Sequence, residues 1–243
     1  MFKSSSSSDG SAVAIVPAGS SERVGKGEIT RERILDTAVG MFRARGFDET
    51  TMREVATGAG VALGLTYHYF PSKEAVVMAY YDRVQGEHRR VVEARVLGVP
   101  GLRDRLTQLF HTKLDIVKDD RRLLGALFRY TGNPEHPLSF LGKGTEAIRE
   151  DCISLFAEAL ERESLPEDLR VLMPRAIWAL HMGVLLYFLY DTSEGQRRTR
   201  RLVDGSMDLT VSLLKLVKLP LLAPVLGPVR RSVLGLMRET GLV

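Results

Sequence analysis

Cysteine is nearly absent from this chain, tryptophan occurs once, and neither acids nor bases dominate its charge. Cys152, the single thiol, has no partner for an internal disulfide, so a reducing, cytoplasmic setting is expected and the residue reads as a small buried hydrophobe. The five histidines (His68, His88, His111, His136 and His181) include no HExxH spacing. There is no GxSxG elbow and no glycine loop suited to cradling phosphates. Catalytic residues, a metal and a cofactor are therefore not expected. No segment is expected to reach the length and apolarity of a bilayer span. The apolar patch 12–16, behind a serine run and Asp9, is too short and too polar for a secretion signal. The formal charge of +4, from 34 basic and 30 acidic residues, permits an anionic partner without demanding one.

What is present is a folding composition, 44% hydrophobic and 26% charged, whose apolar residues recur at helical spacing. The organising stretch is 51–75, TMREVATGAGVALGLTYHYFPSKEA. Thr51 and Glu54 stand three apart, the spacing of a capping box. Met52, Val55, Ala56 and Ala59 then fall on one face of a short helix. Gly58 and Gly60 are suited to ending that helix and turning the chain. A second short helix is expected over 63–69, with Pro71 stopping it and Ser72 capping the next. Two short helices about a glycine-bearing turn are the skeleton of a helix-turn-helix. The same outline also serves all-α domains that never touch DNA. Seven basic and seven acidic residues between Lys26 and Ala75 give no net electrostatic argument either way.

The literal residues go further. Arg33-Ile34-Leu35, Ala38, Phe42, Gly46-Phe47, Thr50-Thr51, Val55-Ala56, Ala59-Gly60-Val61, Gly64, Tyr67, Phe70 and Ser72-Lys73-Glu74 closely resemble the N-terminal domain of TetR-family transcriptional regulators, with no gap. The resemblance implies an all-α chain. Its expected parts are a flexible tail (1–27), a three-helix helix-turn-helix domain (28–75) and a larger helical effector-binding and dimerisation domain (76–243). It also implies a homodimeric repressor that binds a palindromic operator in double-stranded DNA and is released by a small-molecule effector. By motif position, the groove-facing residues are Leu63, Gly64, Leu65, Tyr67 and His68, with Thr51 and Lys73 near phosphates. Lys73 opens its helix, where the macrodipole disfavours a cation, so a phosphate would compensate it. Tyr69 and Phe70 are expected in the core. The departure from many relatives is at Ala62 and Leu63, where a polar or basic residue is common. Here Ala62 to Leu65 offer bases no side-chain hydrogen bond, so readout would lean on thymine methyls, His68 and DNA shape.

The rest of the chain reads as helices over 30–45, 73–97, 102–116, 123–130, 143–162, 169–191 and 195–219. The run 118–122 reads as a solvated turn. The segment 169–191 is apolar nearly all round and must be covered on both sides. In the family the late helices form the dimer, which places that interface within 169–219. An apolar or aromatic effector is expected in a region carrying Phe110, Phe128, Phe156, Trp178, His181 and Met182, each of which also fits plain core. The prolines of 219–228 are expected to forbid a regular helix there, with a short helix over 230–239. A membrane contact through Arg230, Arg231 and Arg238 is not expected. The alternative reading is a helical adaptor that keeps this fold without binding DNA.

Overall fold

A computed structural model describes residues 25–219 and 223–239. Among them the chain forms ten α-helices and no strand. They are α1 (Lys26–Arg45), α2 (Met52–Gly58), α3 (Leu63–Tyr69), α4 (Lys73–Arg95), α5 (Leu102–Ile116), α6 (Arg121–Phe128), α7 (Glu146–Leu160), α8 (Glu167–Tyr190), α9 (Arg197–Val217) and α10 (Ala223–Glu239). Residues 1–24 of the expected tail lie outside the described residues, and α1 begins four residues before the expected Thr30.

Two apolar cores organise the helices. The first joins Ile34, Leu35, Phe42, Phe47, Val55, Phe70, Val76 and Tyr80 of the N-terminal helices and their loops to Leu123 and Leu127 of α6. The N-terminal head is thus completed by a helix from far along the chain, since three short helices cannot cover Phe42 and Val76 by themselves. The second core gathers α5, α7, α8 and α9 around Leu109, Phe110, Phe156, Ile177, Phe188 and Met207. Helix α4 serves both: Val76 and Val77 belong to the first, Val92 to the second.

Three expectations are corrected. The run 118–122 is not simply solvated: Asp120 is 1% exposed and holds Tyr80 and Arg43. Helix α8 does reach the length and apolarity of a bilayer span, with a mean hydropathy of 1.5 over its apolar window. Its inner face, with Ile177, His181, Val184, Leu185 and Phe188, packs into the second core. Finally, the prolines do not stop α10. Pro224 lies in the first turn, where its missing N–H costs no helical bond, and only Pro228 interrupts the ladder. Residues 220–222 of that segment lie outside the described residues. Arg230 ties α10 to Asp168 at the start of α8, 2.8 Å apart.

Candidate functional site

The first candidate surface is the outer face of α3. The turn before it follows from local chemistry. Thr51 caps α2, its Oγ1 accepting from Glu54 N at 3.3 Å while the Glu54 carboxylate accepts from Thr51 N at 2.8 Å. Those hydrogen bonds from Thr51, with one from Arg45, hold the Glu54 carboxyl well below its usual range. Gly58 lies where α2 crosses α1: a Cβ there would stand 2.6 Å from Met41 Cε and 2.9 Å from Thr37 Cγ2. Gly60 then takes φ +64°, a left-handed turn that lets Val61 N–H reach back to Ala56 O at 3.0 Å. On α3 itself Thr66 is buried and Phe70 seals the end, while Gly64, Leu65, Tyr67 and His68 are exposed. Leu63 is half-buried against the first core. Tyr69 is half-buried and Phe70 fully so, as their inner positions predict.

Thr51 is exposed beside this face, but Lys73 is already engaged. Its Nζ donates to Phe47 O at 2.8 Å and Asp48 O at 3.3 Å, and lies 4.5 Å from the centre of the Phe47 ring. Those carbonyls supply the compensation expected from a phosphate. Of the other basic side chains in the head, Arg31, Arg43 and Arg45 sit in ion pairs. Lys26, Arg33 and Arg53 are exposed with no ion pair among the described residues, and are the cations free to meet an anionic partner.

The second candidate site is a cavity of about 90 Å³ lined by α4, α5, α6, α7, α8 and the loop before α7. Trp178, His181 and Met182 line it, as expected. Phe110 and Phe156 do not; they stand behind it, packed on the His181 ring at 5.2 and 5.7 Å between centres. Phe128 is turned instead onto Phe140, 4.9 Å away. Helix periodicity ranks apolar residues by face but cannot tell a cavity wall from the layer behind it.

Several cavity residues were not anticipated: Tyr81, Gln85, Lys113 and Cys152. One signal existed for Lys113, which falls on the apolar stripe of α5 between Leu109 and Leu114. It is 5% exposed, and its ammonium donates to Gln85 Oε1 at 2.9 Å. Gln85 in turn donates to Asp151 Oδ2 at 2.8 Å, and Asp151 is already paired with Arg89 at 2.8 Å. Burial lowers the Lys113 pKa to about 8, against partial support from Cys152 and Asp151. It pushes the Cys152 thiol up to about 11, so that group is neutral. Burial, with the Lys113 charge, lowers His181 to about 3. Among the described residues, neither ring nitrogen of His181 nor the Tyr81 hydroxyl has a hydrogen-bond partner. Other histidines are occupied: His88 is bonded to Leu109 O at 2.9 Å, and His111 lies between Asp204 and Arg200. Asp191 is taken by Ser193 and Thr199 at the α8–α9 corner.

The third feature is an apolar surface on the last helices. Along α8, Ala176, Ala179, Gly183, Leu186, Tyr187 and Tyr190 are exposed on one stripe. On α9 the matching stripe is Leu202, Gly205, Leu209, Leu213 and Leu216, with Leu209 60% exposed.

A helix-turn-helix head joined by a long helix to a larger helical body is the architecture of a class of transcriptional regulators. Residues 34–80 match the model for bacterial regulatory proteins of the tetR family, and residues 105–226 match that for the tetracyclin repressor-like C-terminal domain. An HTH-type transcriptional regulator of Mycobacterium tuberculosis is 30% identical over 171 residues, covering 70% of this chain and 81% of that protein. The transcriptional repressor KstR2 of Rhodococcus jostii is 31% identical over 111 residues, covering 42% of this chain and 54% of that protein. Among solved structures, a TetR transcriptional regulator from Nitrosomonas europaea superposes with a TM-score of 0.60 at 19% identity, over 74% of this chain and 96% of that one. FadR of Thermus thermophilus, a TetR-family repressor in complex with lauroyl-CoA, gives 0.53 at 27% identity, over 78% and 95%. The chain belongs to the TetR family of transcriptional regulators.

Proposed function

We propose that this chain is a cytoplasmic, homodimeric, ligand-responsive repressor that binds a palindromic operator. Its head would span 28–75 and its body 76–243. The observation that carries the reading is the outer face of α3: Gly64, Leu65, Tyr67 and His68 stand exposed on a helix whose inner face is fixed by Thr66 and Phe70. Such a helix can enter a major groove, with the Tyr67 hydroxyl on a phosphate and Leu65 against thymine methyls. Thr51 and the third Lys73 hydrogen would contact the flanking backbone. The stripes of α8 and α9 are apolar and carry Gly183 and Gly205, which permit close approach of a second copy across a two-fold axis. Two heads so related call for two equivalent half-sites.

Effector response would run through α4. Tyr80, Tyr81, Val84 and Gln85 of that helix line the cavity, while Ser72 at its start caps it directly after α3. The cavity is smaller than the roughly 150 Å³ that holds a benzene ring, so a ligand with an apolar body must push its walls apart. A shift of α4 changes the spacing of the heads, and the ligand acts by binding one spacing more tightly than the other.

The test is a mobility shift with the DNA upstream of the protein's own coding sequence, comparing wild type with Tyr67→Ala and His68→Ala, both at exposed positions and each checked for folding by circular dichroism. A palindrome-specific shift that weakens about ten-fold or more in Tyr67→Ala is expected. No specific shift with this DNA or with any sequence selected from a random pool would overturn the reading and favour a non-DNA-binding adaptor.

A further inference from the structure

Much of the cavity in the body is walled by apolar side chains, but its charge is not balanced. Lys113 carries a buried ammonium whose only hydrogen-bond partner among the described residues is a neutral amide, Gln85. The nearest carboxylate, Asp151, lies on the far side of that amide and is neutralised by Arg89. Cys152, with its raised pKa, supplies no anion. A buried cation without an anion is costly unless something else pairs with it. Two further groups in the same cavity are unsatisfied, the Tyr81 hydroxyl, 8% exposed, and His181, 3% exposed. At neutral pH His181 is uncharged, so each of these two groups can donate a hydrogen bond. Thr145 and Arg149 also line it, but the Thr145 hydroxyl and the Arg149 guanidinium donate to carbonyls of the 139–142 loop. Trp178, Met182, Leu185 and Phe140 make its apolar wall.

We propose that the ligand of this cavity is a small carboxylic acid, bound as its anion with the carboxylate on Lys113 and its hydrocarbon part against Trp178, Met182 and Leu185. Tyr81 and His181 are the neutral donors available to its oxygens. The inference rests on the reading of the cavity as the effector site and narrows that effector from apolar to amphiphilic and acidic. A neutral hydrocarbon of the same shape would leave the Lys113 charge buried and unpaired, so the site selects against it. Lys113 would stay charged throughout, because an adjacent carboxylate favours its protonated form.

Trp178 is the sole tryptophan and lines the cavity, so its emission reports occupancy in the full-length protein without DNA. Octanoate, 3-phenylpropanoate and cyclohexanecarboxylate are titrated against octanol, 3-phenylpropanol and cyclohexylmethanol, with isothermal calorimetry as a second readout. At least one acid is expected to bind about ten-fold or more tightly than its alcohol, the gain of a charge-assisted hydrogen bond. Lys113→Met, which keeps the side chain's length, is expected to abolish that preference while still binding the alcohol, which shows that its cavity is intact. Equal or tighter binding of every alcohol overturns the proposal, as does an acid preference that survives in Lys113→Met. Absence of binding by all three acids to the wild type also overturns it. If an acid binds but the protein shifts no DNA, the regulator reading fails and the ligand class stands; if DNA is bound and released only by alcohols, the reverse holds.

Discussion

The Tyr80 hydroxyl donates to Asp120 Oδ2 at 2.7 Å, and the other oxygen of the same carboxylate accepts from Arg43 Nε. Three helices or their caps meet there: α4 through Tyr80, the start of α6 through Asp120, and α1 through Arg43. Tyr80 also lines the cavity, so one buried carboxylate links the ligand site to the first helix of the head. Burial and the Asp120 charge together raise the Tyr80 pKa far above its ordinary value, leaving the phenol a fixed donor.

Asp120→Asn should therefore cost about 2–4 kcal/mol in urea unfolding, because it removes the charge that pairs Arg43 inside a buried contact. Tyr80→Phe should cost less, about 1–2 kcal/mol, by leaving one carboxylate oxygen short of a donor. If α4 transmits the ligand signal, Tyr80→Phe should also reduce the effect of ligand on DNA affinity while leaving ligand binding itself within a few-fold. Equal losses in both quantities would show that the link is structural only.

Lys73→Ala should destabilise the head even in the absence of DNA. Its ammonium joins the carbonyls of Phe47 and Asp48, so deletion leaves two acceptors at the α1–α2 loop and removes the cation over the Phe47 ring. A loss of about 1–2 kcal/mol is expected by thermal unfolding. A variant with unchanged melting but weaker DNA binding would instead place its whole role at the phosphate.

Thr51 caps α2, and substitution can separate that role from the proposed phosphate contact. Thr51→Ser keeps the hydroxyl that accepts from Glu54 N, and should retain stability. Thr51→Ala loses the cap, at about 1 kcal/mol. DNA affinity that follows the hydroxyl beyond the change in stability would identify a direct contact.

Stability should respond to pH through three buried bases. His181 has a folded pKa of about 3 against an ordinary 6.5. The unfolded chain therefore takes up the proton first as pH falls, and stability is lost from 6.5 down towards 3, by as much as about 5 kcal/mol. His88 is displaced in the same direction by burial and by Lys113, and adds to the loss. Lys113 acts at the other end. Its folded pKa of about 8 lies below 10.5, so the penalty of its buried charge is present below pH 8 and is relieved as pH rises above it. Lys113→Met should be more stable than wild type at pH 7, by up to about 3 kcal/mol, with the gap narrowing above pH 8. A constant gap across that range would show that Lys113 is not buried as a cation.

Leu209→Glu together with Leu213→Glu should convert a dimer to a folded monomer, read by sedimentation velocity with helicity unchanged. Both residues are largely exposed on α9, so the substitution disturbs little of the packing within one chain. A wild type that sediments as a monomer would remove the interface.

Local signals in the sequence determined the head to within a few residues. The Thr51–Glu54 cap, the glycine turn, Tyr69 and Phe70 turned inward and Ser72 as the next cap all depend on neighbours within one or two helical turns. The order and faces of the later helices were legible for the same reason, since a 3.6-residue period marks which side is buried. Tertiary structure decided what no period encodes. It brought α6 under the head, buried Asp120 between Tyr80 and Arg43, and gave Lys73 carbonyl partners 25 and 26 residues away. It also set Phe110 and Phe156 behind the cavity and placed Lys113 in its wall, although all three share one apolar grammar with their neighbours. Those outcomes depend on which chain segment arrives opposite a given face, and on whether a buried charge finds a partner there.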